Sequence, residues 1–314
     1  MSTTLDQFIP QYLERKQCLK DLLFEGQPLL FVGAGVGANL FPVWKNLLRE
    51  LLEEAGITLS AEQLLLSDPE KAQIVKDKDP AVYKRVVRRH FASWQPTHER
   101  VLAPLERFNL RSIITTNYDD ALLQRFQYRQ FSAIVTNQLH VALLADDNKY
   151  IYHIHGAIRE NEPPESDLNI ILSQDEYDQY YKHTDVIPDF IKTAIGQYPT
   201  VFIGVSFGDK HVTDVLQKYT AQERQLVSNG TSPPSKDRFA LIPLEIENDD
   251  QQGRRILDFD YIDQKEEELQ RLGIIPVWFQ RGSHYRGLSD LLEQWAKEAA
   301  SIHQGIHEQR PVTP

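Results

Sequence analysis

The stretch Pro28-Leu-Leu-Phe-Val-Gly33-Ala-Gly35-Val-Gly37-Ala38 decides the fold of this chain. Four apolar residues run directly into a glycine-rich turn, and a segment of helical period begins soon after it. An apolar run that ends in this way is typical of a buried parallel strand followed by a helix. Glycine also lets the backbone approach a diphosphate closely, and free N–H groups in such a turn can hold it. The stretch therefore predicts a nucleotide-binding βα unit.

Short apolar segments alternate with longer segments of helical period along most of the chain. This alternation favours an α/β fold with a Rossmann-like, doubly wound parallel sheet. The predicted strands are Leu29–Val32, Ser112–Thr115, Ala133–Thr136, Tyr150–Ile154, Asn169–Leu172, Val201–Val205, Phe239–Ile242 and Ile274–Phe279. The predicted helices are residues 5–24, 43–55, 79–92, 97–107, 118–127, 186–198, 209–228, 263–272 and 286–303.

Residues 56–110 differ from the rest, because helical segments follow one another there without a clear strand. We interpret this region as a helical insertion between the first and second strands that covers the ligand crevice as a cap. The turn-rich segment Ser228–Lys236 is expected to join a helix to a strand rather than two domains. We therefore expect one domain over residues 1–314, with a sheet core at about 25–55 and 111–300 and a frayed tail at 304–314.

The composition excludes several classes of protein. Cys18 is the single cysteine, so the chain can form neither an internal disulfide framework nor a zinc site of four thiolates. We recognise no signal peptide and no apolar run long enough to cross a bilayer, which predicts a cytoplasmic protein without membrane contact. A net charge of −11 repels phosphates and disfavours direct nucleic-acid binding. We interpret the basic run Lys84–Arg89 as the solvated face of a helix.

The glycine turn also matches the G-x-G-x-x-A fingerprint of dehydrogenases. That fingerprint normally has an acidic partner about 20 residues later, at the end of a second strand. Here Glu53 and Glu54 lie inside an amphipathic helical segment instead, which disfavours a dehydrogenase. A turn that serves only tight strand–helix packing remains the alternative for these glycines.

Two further polar turns follow predicted strands, at the end of the sheet where parallel strands bind ligands. In the turn after Thr115, Asn117 either faces the crevice or caps the next helix, with Asp119 and Asp120 favouring the helix dipole. In the turn after the strand near residue 201, Ser206 and nearby N–H groups either hold phosphate or, with Asp209, cap the helix that follows.

The segment Tyr150–Gly156 alternates in polarity. This pattern predicts that His153 and His155 lie on one face of a strand, with Tyr152 and Ile154 on the other. A metal site would need a third ligand, and none is evident nearby in the sequence. A histidine that ends a strand beside a crevice suits a general base or a ribose contact better.

Taken in order, these four sites resemble the sirtuin family from about residue 25 to residue 300. The order is a Gly-Ala-Gly turn, an Asn-x-Asp turn, a His-Gly strand end and a Gly-x-Ser turn. The final strand, Gly273–Phe279, and its helix resemble the end of bacterial sirtuin-like defence proteins. Sirtuin deacylases carry a zinc module of four cysteines, which this chain lacks. The resemblance is therefore to zinc-less antiphage effectors, which destroy NAD rather than deacylate proteins.

The resemblance implies a role for each matching residue. Asn117 would orient the nicotinamide ribose or the attacking water, and His155 would be the catalytic base. Contacts with NAD are implied for Gly33, Ala34, Gly35, Val36, Trp44, Thr116, Asp119, Gly204 and Ser206. Pro42-Val43-Trp44 is similar to a degenerate form of the sirtuin Pro-Asp-Phe segment, and Gly37 stands where sirtuins usually carry serine.

The activity that this resemblance implies is NAD+ hydrolysis to nicotinamide and ADP-ribose, with NAD as substrate and no metal. The chain would act as an NAD-depleting effector of antiphage defence, by abortive infection. A homo-oligomer and a separate regulatory partner are implied: a HerA-type ATPase, a short Argonaute or a nucleotide-processing enzyme. The alternatives are a non-catalytic NAD or ADP-ribose scaffold or sensor and an NAD-dependent protein deacylase, whose acyl-lysine groove would be incomplete without the zinc module.

Overall fold

A computed structural model describes residues 9, 11–36, 44–92, 99–159, 163, 166–231, 235–244, 246–249, 254–281 and 286–308. The strands are β1 (Leu29–Val32), β2 (Ser112–Thr115), β3 (Phe131–Val135), β4 (Lys149–His153), β5 (Thr200–Ile203), β6 (Arg238–Leu244), β7 (Ile246–Asp249), β8 (Arg254–Leu257) and β9 (Ile275–Gln280). Seven of them form one sheet in the order β3-β4-β2-β1-β5-β6-β9, and β7 and β8 form a separate antiparallel pair.

Every pairing in the seven-stranded sheet is parallel, which confirms the predicted fold class. On one side of β1 lie β2, β4 and β3, of which the chain forms the edge strand β3 before β4. The chain then crosses to β5 on the other side of β1. The strand order therefore reverses at β1, and ligands of open α/β sheets bind at the carboxyl ends of the strands around such a reversal.

The helices are α1 (Tyr12–Phe24), α2 (Trp44–Glu54), α3 (Asp68–Lys78), α4 (Pro80–Phe91), α5 (Glu99–Leu105), α6 (Ala121–Phe126), α7 (Gln174–Asp178), α8 (Val186–Gln197), α9 (Lys210–Ser228), α10 (Phe259–Arg271) and α11 (Arg286–Glu308). Polar side chains cap the N-termini of several helices. Ser67 and Glu70 form a capping box at α3, and Asp79 and Asp209 cap α4 and α9. None of the helices described is both long and apolar enough to cross a membrane.

Two apolar clusters cover the two faces of the sheet. Alternate residues of β1 belong to different clusters: Phe31 packs in one, and Leu30 and Val32 pack in the other. β5 divides in the same way, with Phe202 in the first cluster and Val201 in the second. Helices on both faces thus explain why the strands are apolar throughout rather than alternating.

A third cluster belongs to the helical insertion, which lies between β1 and β2 as predicted. It joins α2, α3 and α4 to the segment that follows β4, with Leu51, Val75, Val86, Ile158 and Leu172 among its buried members. Helix α5 instead packs against the sheet, in the apolar cluster that contains Leu30 and Val32. The insertion therefore has its own core, which starts earlier along the chain than expected, at α2.

The basic run in the insertion is paired with protein groups. Lys84 and Arg85 contact Asp167 and Glu54, Arg89 contacts Glu50 and Glu54, and Arg88 donates to the carbonyls of Pro163 and Ser166. These cations bind the insertion together and to the loop after β4. They form a solvated helix face, as predicted, in which carboxylates pair with Lys84, Arg85 and Arg89 and neutral oxygens accept from Arg88.

The structure differs from the sequence-based prediction in three segments. Asn169–Leu172 is not a strand: Ile170 makes only an isolated antiparallel bridge to Gly156, and the apolar residues are buried between the insertion and the sheet. The β7–β8 pair was not predicted, because its polar sequence carries no strand pattern. Helix α11 continues to Glu308, so residues 304–308 are helical rather than frayed, and 309–314 lie outside the described residues.

Candidate functional site

Four neighbouring strands, in the order β4, β2, β1, β5, carry the predicted site residues at their carboxyl ends. The glycine turn follows β1, Asn117 follows β2, His155 follows β4 and Gly204 follows β5. The structure therefore brings the four sequence sites to one end of the sheet, at the reversal of strand order. Gly37, Pro42 and Val43 lie outside the described residues.

The glycine turn after β1 packs directly against the turn after β5. The N–H of Gly33 donates to the carbonyl of Ile203 (3.0 Å), and that of Gly35 donates to the carbonyl of Gly204 (2.8 Å). A Cβ at Gly33 or Gly35 would lie 2.5 or 2.7 Å from the Gly204 oxygen. Gly33 and Gly35 thus serve close packing of the two turns, as the alternative interpretation stated. Their N–H groups, which we expected to be free for a diphosphate, donate to backbone carbonyls instead.

Asn117 is held by β1 and β2. Its backbone N–H donates to Oγ1 of Thr115, and Oγ1 of Thr115 in turn donates to the carbonyl of Val32. Its side-chain Nδ2 donates to the carbonyl of Gly33 at 3.4 Å. Its Oδ1 is buried and has no hydrogen-bond partner among the described residues. Asn117 does not cap a helix here, and it presents an unpaired acceptor at the carboxyl end of β2.

His153 is buried beside Asn117. Its Nδ1 lies 3.2 Å from the backbone oxygen of Asn117. A carbonyl oxygen only accepts, so Nδ1 carries the hydrogen and Nε2 is an acceptor; Nε2 is buried without a partner among the described residues. Burial lowers the pKa of His153 to about 4, which keeps the ring neutral near pH 7.

His155 does not share a face with His153, although the alternating pattern predicted that it would. Its Nε2 is 2.7 Å from the hydroxyl oxygen of Tyr181, and its ring contacts the rings of Tyr177 and Tyr181. These tyrosines belong to the cluster that contains Tyr152 and Ile154, so His155 shares their face, and the predicted separation of the residues is wrong.

Gly156 is the cause of this difference. It has φ +82°, and its N–H donates to the carbonyl of His153, which makes a tight turn directly after β4. A Cβ at Gly156 would lie 1.8 Å from the oxygen of Asn169, so glycine is required there. The turn ends the strand at His153 and interrupts the alternation on which the prediction relied.

The carboxylate of Asp209 lies beside His155. Its Oδ2 is 3.9 Å from Nε2 of His155 and accepts the hydroxyl of Tyr177 at 3.2 Å. Burial lowers the pKa of His155 to about 4, partly opposed by the charge of Asp209, so the resting ring is neutral and the contact is not an ion pair near pH 7. Asp209 also caps α9, as the alternative interpretation of that turn predicted.

Asp119 is buried at the start of α6. Its Oδ1 accepts the N–H of Ala121 at 3.1 Å, which is a capping contact. Burial raises the pKa of Asp119 to about 6, because the ionised carboxylate is poorly solvated there. A carboxyl group whose pKa lies this close to neutrality is unusual for a residue that serves only as a cap.

The remaining predicted contacts differ in exposure. Ser206 is exposed, and its Oγ accepts the N–H of Gly208 at 3.2 Å. Thr116 and Trp44 are half-buried, and Trp44 packs against the core of the insertion. The side chain of Val36 is buried in the cluster beneath the sheet, so Val36 offers backbone atoms rather than its side chain to a ligand.

Sequence reasoning missed Tyr177 and Tyr181, and it considered Asp209 only as a cap. Tyr177 lies in α7, and Tyr181 lies in the π-helical segment Gln179–His183 that continues it. Their spacing of four residues places two aromatic rings on one helical face. A capping box at Ser173 and Glu176 marks the start of this helix, and together these signals could have pointed to an aromatic face directed at the site.

The sequence of this chain is similar to those of known proteins. Residues 111–263 match the SIR2-like domain family. Defense-associated sirtuin 2 of Bacillus subtilis is 26% identical over 77% of this chain and 24% of its own length. The NAD(+) hydrolase ThsA of Cytobacillus dafuensis is 25% identical over 69% of this chain and 42% of its own length. The chain thus spans less than half the length of either relative.

Two solved structures also align with this chain. One comes from work on the mechanism and regulation of Sir2 enzymes, with a TM-score of 0.40, 11% identity and coverage of 92% of this chain and 99% of the other. The second is a mutant Sir2 homologue in complex with ADP-ribose, with a TM-score of 0.42, 13% identity and coverage of 92% and 98%.

Proposed function

We propose that this chain, which carries a SIR2-like domain over residues 111–263, is an NAD+ hydrolase and the effector of a bacterial antiphage system. It would cleave the bond between nicotinamide and ribose. Similarity to a defense-associated sirtuin and to an NAD(+) hydrolase supports this proposal. Asn117 and His155 would carry the reaction, and the glycine turns after β1 and β5 would hold the nucleotide.

The reaction needs little acid catalysis, because nicotinamide leaves as a neutral molecule from a cationic substrate. As the C1′–N1 bond breaks, its electron pair goes to N1, and positive charge develops on the ribose. The oxygen of a water molecule then bonds to C1′, and the proton it loses goes to His155 and afterwards to solvent. The products are nicotinamide, ADP-ribose and one proton.

The observation that carries the proposal is the unpaired Oδ1 of Asn117. A buried acceptor without a partner costs about 1–3 kcal/mol, and a donor on the ligand would recover that energy. Because Nδ2 is held by Gly33, the oxygen has a fixed position between β1 and β2. A ribose hydroxyl or the attacking water supplies such a donor. A neutral His155 is also in the correct protonation state to accept a proton near pH 7.

The test is to incubate the purified protein with NAD+ and follow nicotinamide and ADP-ribose by chromatography. General-base assistance is typically worth about 10²–10⁴-fold in rate, so Asn117→Ala and His155→Ala should lower turnover by about 100-fold or more. His140→Ala is a matched control, because His140 is exposed and only caps a short turn. Circular dichroism checks that all variants stay folded. Wild-type turnover in both site variants would refute the assignment.

Other results distinguish the alternatives. Calorimetric binding of NAD+ without nicotinamide release, even with a partner protein present, supports a scaffold or sensor. NAD+ consumption that requires an acyl-lysine peptide supports a deacylase. We further propose that the protein forms a homo-oligomer whose activity is gated by a separate partner, since uncontrolled NAD+ hydrolysis would kill the host. The assay is therefore run with the isolated protein and with the product of a neighbouring gene.

A further inference from the structure

His155 is surrounded by polar groups that the reaction above leaves unused. Tyr181 lies 2.7 Å from Nε2, Asp209 lies 3.9 Å from the same atom, and Tyr177 donates its hydroxyl to Asp209. The ring of His211 stacks on Tyr177, with centroids 4.4 Å apart. Tyr181 and Asp209 both lie on the Nε2 side of the imidazole, so Nδ1 is the nitrogen left for a substrate.

Asp209 does more than a helix cap requires. Its Oδ1 alone accepts the N–H groups of His211 and Val212, which completes the cap of α9. Its Oδ2 is directed instead toward Tyr177 and His155. The cap of α9 therefore also fixes Oδ2 of Asp209 beside His155. The Asp209 side chain is already ordered by the cap, so no further conformational entropy is lost in placing Oδ2 there.

We propose that Asp209, with Tyr177 and Tyr181, is a positioning group that holds His155 in the Nε2–H tautomer and stabilises the imidazolium formed when Nδ1 accepts a proton. This inference rests on the proposed function for its catalytic consequence. No atom of Asp209 needs to reach the substrate, so it is not a catalytic residue itself.

Electrostatics favour this arrangement. A carboxylate near Nε2 attracts the positive end of an N–H dipole, so the tautomer with hydrogen on Nε2 is preferred, and the oxygen of Tyr181 accepts that hydrogen. When Nδ1 gains a proton the ring becomes cationic in a buried site, where a fixed negative charge stabilises it most. Burial lowers the pKa of the neighbouring His211, so that ring is neutral near pH 7 and does not offset the carboxylate.

Asp209→Asn is the informative variant, since asparagine caps helices about as well as aspartate and puts a neutral amide group in place of the charged Oδ2 beside His155. Asp258→Asn is its matched control, because Asp258 caps α10 by accepting the N–H of Tyr261. We expect kcat for NAD+ hydrolysis to fall by about 10- to 100-fold in Asp209→Asn, with KM within about twofold. Asp258→Asn should keep wild-type kinetics. A kcat within twofold of wild type in folded Asp209→Asn would overturn the proposal.

Nitrogen-15 NMR of the histidine rings gives a readout that needs no catalysis. The ring of His155, assigned by comparison with His155→Gln, should show the Nε2–H pattern in the wild type and a mixture of tautomers in Asp209→Asn. Unchanged ring shifts would also contradict the inference. If the wild type releases no nicotinamide but the tautomer shifts as expected, the proposed hydrolysis fails while the positioning role stands.

Tyr181→Phe provides a second route should Asp209→Asn fold poorly. It removes the oxygen that contacts Nε2 and keeps the ring that packs against His155. We expect the same mixture of tautomers and a kcat lowered by about 10-fold. Tyr198→Phe is the control, since its hydroxyl donates to the carbonyl of Leu144 instead. Equal kinetics in the two phenylalanine variants would count against the proposal.

Discussion

Replacing Gly204 by alanine measures how far the site depends on contact between the turns after β1 and β5. Gly204 has φ +67°, and a Cβ there would lie 2.4 Å from the Val36 nitrogen and 2.7 Å from its Cγ2. Gly230 has almost the same φ, +68°, but a Cβ there would meet nothing within 4 Å. The two substitutions therefore share the backbone strain and differ in the steric overlap.

The expected loss of stability follows from these two contributions. A left-handed φ costs an alanine about 1–2 kcal/mol, and the reduced freedom of the unfolded chain returns about 0.4–1 kcal/mol. Gly230→Ala should thus lower the free energy of unfolding by about 1 kcal/mol. At Gly204 the overlap is with backbone, which must move, and overpacking adds about 1–3 kcal/mol. We expect Gly204→Ala to lose about 2–4 kcal/mol in total.

Urea unfolding followed by circular dichroism compares the two variants, with equal m-values as the condition for interpreting the midpoints as stability. Calorimetry with NAD+ on folded Gly204→Ala should also show weaker binding, because separation of the turns displaces Val36 and Gly35 together. An equal loss of stability in the two variants would refute the reasoning, since it would mean that the turns part without cost.

Two further predictions concern buried charges. Burial raises the pKa of Asp119 to about 6, above the value of about 3.9 in an unfolded chain, so its ionisation opposes folding above pH 6 and not below pH 4. Asp119→Asn should raise the unfolding free energy at pH 7.5 by about 1–3 kcal/mol and show no gain at pH 4 in urea titrations. Glu223→Ala leaves the buried Arg238 guanidinium unpaired and should cost about 3–5 kcal/mol. Combining Glu223→Leu with Arg238→Met should recover most of that loss. A double variant as unstable as Glu223→Ala would show that the unpaired Arg238 charge is not the cause of the loss.

The sheet could be predicted from sequence because its strands are covered on both faces. β1 and β2 have the predicted bounds, Leu29–Val32 and Ser112–Thr115. β1 is a continuous apolar run ended by glycine, and β2 is a pair of isoleucines between polar residues. The same signal fails at Asn169–Leu172, where an apolar run is buried between two cores without strand partners. An apolar run predicts that a segment is buried. Whether the buried segment forms a strand depends on whether another strand lies beside it to pair with.

The sequence predicted which residues of the site follow the carboxyl ends of the strands, but not the side chains that surround them. Asn117, His155 and Gly204 were expected at one end of the sheet because parallel strands share a direction. An aromatic face could be read from the spacing of Tyr177 and Tyr181, but its contact with His155 could not, since Tyr181 is 26 residues away and lies in a separate helical segment. The face on which His155 lies depends on the turn from His153 to Gly156, and the alternation of polar and apolar residues gives no signal for such a turn.

Packing and ligand binding are not competing explanations of the glycine turn. The N–H groups of Gly33 and Gly35 hold the turn after β5, so a nucleotide at this point meets a surface built jointly by both turns. Displacing either turn should therefore disturb the other, and it should disturb Asn117 as well, because Nδ2 of Asn117 donates to the Gly33 carbonyl. The contact that occupies the N–H groups thus links the predicted phosphate region to the unpaired Oδ1 of Asn117. A substitution that separates the turns should therefore impair catalysis as well as binding, although it lies on neither catalytic residue.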